Sequence, residues 1–410
     1  MKKWLIAITG TFIQLFLGTV YAWSFFQTPI TEFTSWSNTQ TAWAFSLAIF
    51  MLGLTAFWAG RKMPVYGPWK LAMLGGILYA LGYIVSGFAL ANQSLILLYL
   101  GFGILGGIGL GMAYVTPVAT VSAWFNEKQG LATGMVVMGF GLGALLMSKL
   151  LAPLFLRISG ENLSSTFYYV GIIMLVLIPI LASFLQLPKS ENPTATKSEK
   201  IPIAEHIKTK SFVTIWLIFM INIVAGMIFI SFQSPLLQDM LKAKMPAGTD
   251  FSDGSVIASL ASAGATLIAV SSIFNGLGRF FWGSISDKIG RIQTFHILLA
   301  LQAVIFGVLI FVREPIVFSI LVCVVLLCYG GGFGVLPSLT RDMYGSKLMS
   351  SLYGAMLTAW GVGGIIGPQI IAFMKDKYAD KAGLYVFIVG GSLLVIGFGF
   401  SFMGREKTKS

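Results

Sequence analysis

Twelve apolar runs, each long enough to cross a bilayer, constrain this 410-residue chain more than any other feature. A helix needs roughly 20 apolar residues to span a hydrocarbon core about 30 Å thick. Reading apolar stretches between polar breaks places the runs at 4–26, 42–60, 71–90, 95–121, 130–153, 165–187, 211–238, 255–284, 293–312, 315–338, 350–372 and 383–403. The first follows Lys2 and Lys3 and is too long for the core of a signal peptide, so an uncleaved helix is expected there. Charged residues make up only 10% of the chain, against about 25% in a soluble domain. The expectation is an all-α membrane protein with twelve transmembrane helices.

The net charge of +12 raises nucleic acid as a partner, but the positions of the charges argue otherwise. Sorted by alternate loops, 18 basic residues fall on the side of both termini and seven on the other. The positive-inside rule places the richer side in the cytoplasm, so both termini are expected there. The charge then marks topology and contact with lipid headgroups at a plasma (inner) membrane, with no nucleic-acid partner. Two basic residues, Lys149 and Arg279, fall within spans, whereas all 15 acids fall in loops or at span ends.

Residues 188–210 form the one long polar segment between spans, with three prolines and five lysines. They read as a cytoplasmic linker between an N-terminal half, 1–187, and a C-terminal half, 211–410. A weak repeat supports the division. GMVVMGFGLG at 134–143 aligns with GAMLTAWGVG at 354–363, pairing Gly134 with Gly354, Gly141 with Gly361, Gly143 with Gly363 and Phe140 with Trp360. Pro117 and Pro337 match at the same shift of 220. Two pseudo-symmetric six-helix halves follow, with a binding site near midplane between them.

Other chemistries find little support. Cys323 and Cys328 lie in an apolar run and read as buried, inert thiols, and His206 and His296 are the only histidines. No metal site, cofactor or catalytic triad is expected, and the chain does not read as an enzyme. GFGILG at 101–106 fits a dinucleotide motif, but no strand precedes it, so close helix packing through small residues is the better account. No phosphate-binding G-x-x-x-x-G-K-[ST] segment occurs that would bind ATP. Asn92 and Asn162 each begin a glycosylation sequon, which carries no weight without a known host.

Arg279 stands out. It lies eight residues before Asp287, so about 12 Å inside the membrane boundary at 1.5 Å per residue. An arginine there costs about 2.5–3.5 kcal/mol on insertion scales, and no acid within the spans offsets it. Its planar fork suits a carboxylate. The inference is that it awaits an anionic ligand in a polar cavity between the halves; a structural arginine bound to carbonyls or water is the alternative. Asn275, one turn earlier on the same face, either orients the guanidinium, bonds the substrate or joins two helices. Lys149, near the outer end of the fifth span, snorkels to the interface or serves the substrate.

GSISDKIGR at 283–291 resembles the G-x-x-x-D-x-x-G-R loop of the major facilitator superfamily, with Gly283, Asp287, Gly290 and Arg291 in the motif positions. GRKMPVYGPWK at 60–70 is a degraded copy, with Pro64 where the acid belongs. A narrower resemblance runs through TVYAWSFF at 19–26, WFNEKQGLATG at 124–134, IFNGLGRFFWGSISDKIGR at 273–291 and YGGGFGVLPS at 329–338. These are similar to the oxalate/formate antiporter family, which includes bacterial monocarboxylate transporters. The resemblance implies the major facilitator fold, a loop that pins helix ends in one conformational state, and an arginine, here Arg279, that binds the substrate carboxylate. It further implies that Tyr21, Tyr114, Phe140, Tyr329 and Phe333 line the central cavity.

One departure is informative. The resemblance puts Trp360 where oxalate exchangers carry a second cation, a lysine. One cation suits a monoanion, and an unpaired buried charge costs several kcal/mol. Lactate, pyruvate or formate is therefore expected as substrate, carried by alternating access with proton symport or anion exchange. Proton-coupled relatives carry an acid further up the eighth helix; Val256 stands there, leaving Asp253 or Glu32 as candidate outward relay. A dicarboxylate exchanger remains open and would need Lys149 as second cation. A transporter-like anion receptor is the third reading, although only GREKTKS follows Met403. The chain is expected to act as a monomer.

Overall fold

The computed structural model describes residues 2–125, 129–188, 203–345 and 348–402. Most of the expected linker, with Lys189, Lys197 and Lys200, lies outside the described residues, as do Asn126 to Lys128 of the 124–134 motif and the tail from Met403. Among the described residues, twelve helices are long and apolar enough to cross a membrane. They are α1 (Lys3–Thr34), α2 (Asn38–Tyr66), α3 (Pro68–Ala91), α4 (Leu95–Trp124), α5 (Ala132–Ile158), α6 (Leu163–Ala182), α7 (Lys210–Lys242), α8 (Gly254–Ile289), α9 (Arg291–Leu309), α10 (Pro315–Tyr344), α11 (Met349–Tyr378) and α12 (Ala382–Ser401). Each expected run overlaps one of these helices, in order.

The ends differ from expectation, and capping explains why. Apolar runs mark only the part of a helix that sits in hydrocarbon, whereas backbone hydrogen bonding continues until a cap stops it. The Ser37 side chain accepts from the Gln40 N–H and starts α2; Asn162 does the same for α6 and Thr209 for α7. Glycines at positive φ stop helices on the side of the termini: Gly67 at 77°, Gly290 at 95° and Gly345 at 77°. Two expectations are corrected as a result. Gly283 and Asp287, read as loop residues, lie on α8, which runs unbroken to Ile289. Glu32, also read as a loop residue, lies within the last turns of α1.

The chain packs as two groups of six. On the N-terminal side α3 packs on α4 and α6, α2 on α4, and α1 on α4 and α5. The C-terminal group repeats this, with α9 on α10 and α12, α8 on α10, and α7 on α10 and α11. Between the groups α5 meets α8, α2 meets α11, and α1 meets α7. Glycines from the sequence repeat occupy two of these crossings in equivalent places. A Cβ at Gly141 of α5 would stand 2.7 Å from Cα of Gly276 on α8. The matching Gly361 of α11 faces Gly53 of α2, where a Cβ would stand 2.9 Å from the Gly361 Cα. Backbones approach this closely only where both helices lack side chains, which explains why these glycines mark the repeat.

Polar contacts tie the two ends of the bundle. At the end away from the termini, the Asp376 carboxylate of α11 accepts from the Asn38 N–H at 2.9 Å, the Asn38 amide at 3.0 Å and the Thr39 N–H at 2.8 Å. It thereby caps α2 across the two groups. At the opposite end, Arg291 pairs with Asp287 at 2.5 Å and Asp342 at 3.3 Å, and also bonds Ser286. Gly283, Asp287, Gly290 and Arg291 thus form a junction joining α8, α9 and α10, with Asp342 as a member not foreseen.

Candidate substrate site

Arg279 sits two-thirds of the way along α8 with 0% of its surface exposed. Glycines on α10 create its place. A Cβ at Gly334 would overlap the Arg279 carbonyl oxygen, and one at Gly330 would overlap that of Asn275. The YGGGFG run therefore lets α8 and α10 touch along their backbones. Gly334→Ala is expected to cost about 1–3 kcal/mol of stability by overpacking; thermal unfolding of the purified protein checks this.

The guanidinium lies among rings. Its Cζ is 4.6 Å from the centroid of Phe333 and 5.4 Å from that of Phe140. Its Nε donates to Oδ1 of Asn275 at 3.3 Å, and Asn275 is itself 2% exposed. Asn275 thus touches the guanidinium directly. Nη1 and Nη2 are buried and have no hydrogen-bond partner. The ion pairs found among the described residues, Lys244–Glu314, Arg291–Asp287, Arg291–Asp342 and Lys375–Asp239, all leave Arg279 out. Cation–π contact offsets part of the charge, by about 2 kcal/mol in a desolvated site, but gives the N–H groups no acceptor.

The expected aromatic residues converge on this point from five helices. Phe333 and Trp360 have ring centroids 4.7 Å apart, Tyr114 and Trp360 4.9 Å, Tyr21 and Phe140 4.9 Å, and Tyr114 and Phe140 5.1 Å. Tyr329 stacks edgewise on Phe333 at 5.2 Å, and its hydroxyl hydrogen-bonds that of Tyr21, linking α10 to α1. Tyr21 lies on a tight 3-10 segment, Gly18–Ala22, where α1 crosses α5. A Cβ at Gly143 would stand 2.5 Å from Cα of Gly18, so this crossing too depends on glycine. All eight residues expected to bind substrate form one connected, closed cluster.

One member escaped the sequence reading. Tyr353 of α11 is fully buried. Its hydroxyl interacts with that of Tyr114, in the field of Arg279. The signal was present: Tyr353 precedes Trp360 by seven residues, two turns of one helix face. Arg279 Nη1 and Nη2 and Trp360 Nε1 thus stand buried in the cluster without a well-formed hydrogen bond, and each is a donor.

Three other residues do not join the cluster. Lys149 donates to Thr266 Oγ1 at 2.8 Å, and Thr266 precedes Arg279 by 13 residues of one helix, about 20 Å along its axis. Asp253 caps α8, accepting from the Ser255 N–H at 2.6 Å. The hydrogen bonds from Ser255 hold this carboxyl below the usual carboxylate range, so it stays ionised at neutral pH. Glu32 is exposed near the far end of α1. Among the described residues no group of three His, Cys, Asp or Glu side chains could hold a metal ion.

Twelve spans in two related sixes, with a polar site buried where the groups meet, define a transporter rather than an enzyme. The chain belongs to the Major Facilitator Superfamily, which matches residues 7–368. It is 24% identical to the oxalate:formate antiporter of Oxalobacter formigenes over 92% of this chain and 86% of that one. It is 25% identical to human monocarboxylate transporter 11 over 90% of this chain and 76% of the relative. Among solved structures, a bacterial homologue of the human lysosomal transporter Spinster, inward-facing and occupied, shares the fold. Its TM-score is 0.66 at 18% identity, covering 98% of this chain and 96% of that one.

Proposed function

We propose that this protein is a secondary transporter of small monocarboxylates, and that Arg279 binds the carboxylate. One observation carries the reading: Nη1 and Nη2 of Arg279 are fully buried without a well-formed hydrogen bond, in a cluster where Trp360 Nε1 is a further unpaired donor. Such a site leaves a large desolvation cost uncompensated until an anion arrives. A carboxylate takes both nitrogens side by side, while Asn275 holds Nε and fixes the plane of the fork. Phe140, Phe333 and Trp360 exclude water, which strengthens the ion pair. Tyr21 and Tyr329 close the site between α1 and α10.

Loading neutralises the charge, and the neutral complex crosses the sealed state more easily than the empty guanidinium does. The two groups then rock about the site, opening one mouth as the other shuts. This charge logic suits anion exchange or proton symport. Exchange is the better fit, because Asp253 is committed to its helix cap and Glu32 is exposed on α1, leaving no carboxylate in the cluster to carry a proton. The bias of basic residues supports cytoplasmic termini.

The oxalate:formate antiporter among the relatives keeps a dicarboxylate reading in view. Against it stands the single cation of the site, since Lys149 pairs with Thr266 well away from Arg279. Uptake of labelled lactate, pyruvate, formate and oxalate by the purified protein in liposomes tests the proposal. Saturable flux of monocarboxylates is expected. Flux of oxalate alone would overturn it, and binding without flux would turn the protein into a receptor.

A further inference from the structure

Helix α11 is interrupted between two members of the cluster. Its first half, Met349–Met356, carries Tyr353, and its second half, Thr358–Tyr378, carries Trp360. At the junction the Trp360 N–H donates to the Leu357 carbonyl at 3.0 Å, three residues back, where a regular α-helix bonds four back. Such a tight turn rotates the chain about 20° further per residue than an α-helix does. The break thus sets the direction in which the indole leaves α11 to meet Phe333 at 4.7 Å and Tyr114 at 4.9 Å.

Residues 355–360, AMLTAW, hold neither proline nor glycine, the common causes of a helix break. Thr358 supplies the cause. Its Oγ1 donates to the Ala355 carbonyl at 2.7 Å, the local bond by which threonine competes with the helical backbone. The same oxygen accepts from Nε1 of Trp216 on α7 at 2.8 Å, so the hydroxyl is used in both directions. Beyond the break α11 is fastened to α7: a Cβ at Gly363 would stand 2.5 Å from Cγ2 of Ile223, and one at Gly367 2.7 Å from Cβ of Met227. Before it, α11 rests on α2 of the other group, where a Cβ at Gly354 would stand 3.0 Å from Cα of Phe57.

We propose that Thr358 is a positioning residue of the substrate site: anchored by Trp216, it holds the break in α11 that sets the Trp360 indole beside Arg279 and its neighbours. This deepens the proposed function and rests on Arg279 binding the carboxylate. Thr358 acts through Trp360. Without its hydroxyl, the Trp216 N–H loses its acceptor and the tight turn loses its local bond, so the indole rotates out of its place against Phe333 and Tyr114. Water then reaches the guanidinium and weakens its pair with the carboxylate. The effect falls on ligand binding rather than on turnover.

The test measures KM and kcat for lactate uptake into proteoliposomes, with kcat normalised to reconstituted protein. Thr358→Val keeps the volume and removes the hydroxyl; it is expected to raise KM about fivefold with kcat within about twofold of wild type. Thr358→Ser keeps the hydroxyl and is expected to restore KM to within about twofold of wild type. Trp216→Phe is expected to raise KM in the same direction, and the double variant Thr358→Val/Trp216→Phe no further than Thr358→Val alone, because one bond is lost in both. Should Thr358→Val fold poorly, Trp216→Phe carries the comparison. A KM unchanged in Thr358→Val and Trp216→Phe, a serine variant as impaired as the valine one, or additive effects in the double variant would overturn the assignment and leave Arg279 as carboxylate partner intact. Absence of any carboxylate flux in the wild type would instead refute the proposed function, and this assignment with it.

Discussion

Arg279→Lys is expected to reduce kcat/KM for monocarboxylate uptake roughly 100-fold, about 3 kcal/mol. The substitution keeps the positive charge and so isolates the geometry of the fork. Lysine presents a point charge on a flexible stem, cannot bond both carboxylate oxygens in one plane, and has no Nε for Asn275 to hold. The loss of the Nε–Oδ1 bond at 3.3 Å also frees Asn275, leaving a second buried polar group unpaired. Rate and affinity should fall together, because loading is what allows the sealed state to form. The measurement is initial uptake of labelled pyruvate or lactate at several concentrations. Wild-type activity in the lysine variant would show that Arg279 is structural and that the substrate binds elsewhere.

Trp360→Lys is expected to move the preference between oxalate and lactate by at least about tenfold toward oxalate. The indole lies 4.7 Å from Phe333 and 4.9 Å from Tyr114, the same rings that surround Arg279 and its neighbours. A lysine in its place brings a second cation to the guanidinium and opens room for the second carboxylate. The empty variant then holds two buried cations without an acid, which destabilises it by several kcal/mol. Oxalate should restore that stability, since a ligand that binds only the folded protein raises its melting temperature. Competition between oxalate and lactate for uptake, together with thermal unfolding with and without oxalate, reads both effects. An unchanged substrate profile would remove Trp360 as the residue that selects monoanions.

The fold was largely legible because a bilayer imposes a length on apolar segments that no soluble helix must obey. Helix ends were less so. Asp287 and Glu32 looked like loop residues for being charged, yet a helix ends where its backbone is capped, as at Gly290, and not where its side chains turn polar. At the site, Arg279 announced itself as a cation with no acid in the spans, and the aromatic residues were found through resemblance. Tyr353 was missed in a chain with 14% aromatic residues, where one more tyrosine on an apolar helix carries no mark. Lys149 kept two readings in the sequence, since a lysine in a span has a stem long enough to reach several partners; its bond to Thr266 leaves it outside the cluster.

Composition, apolar run length and the spacing of glycines determined the twelve spans, the pairing of two halves and the presence of one uncompensated charge, all properties that a single helix carries by itself. Which donors stand together was decided by the crossings of α1, α4, α5, α8, α10 and α11. Those contacts join residues hundreds of positions apart, as Tyr21 does with Tyr329. Side chains so distant in the chain have no local signature of being neighbours; only close packing of backbones, permitted by glycine at each crossing, brings their polar atoms to one point.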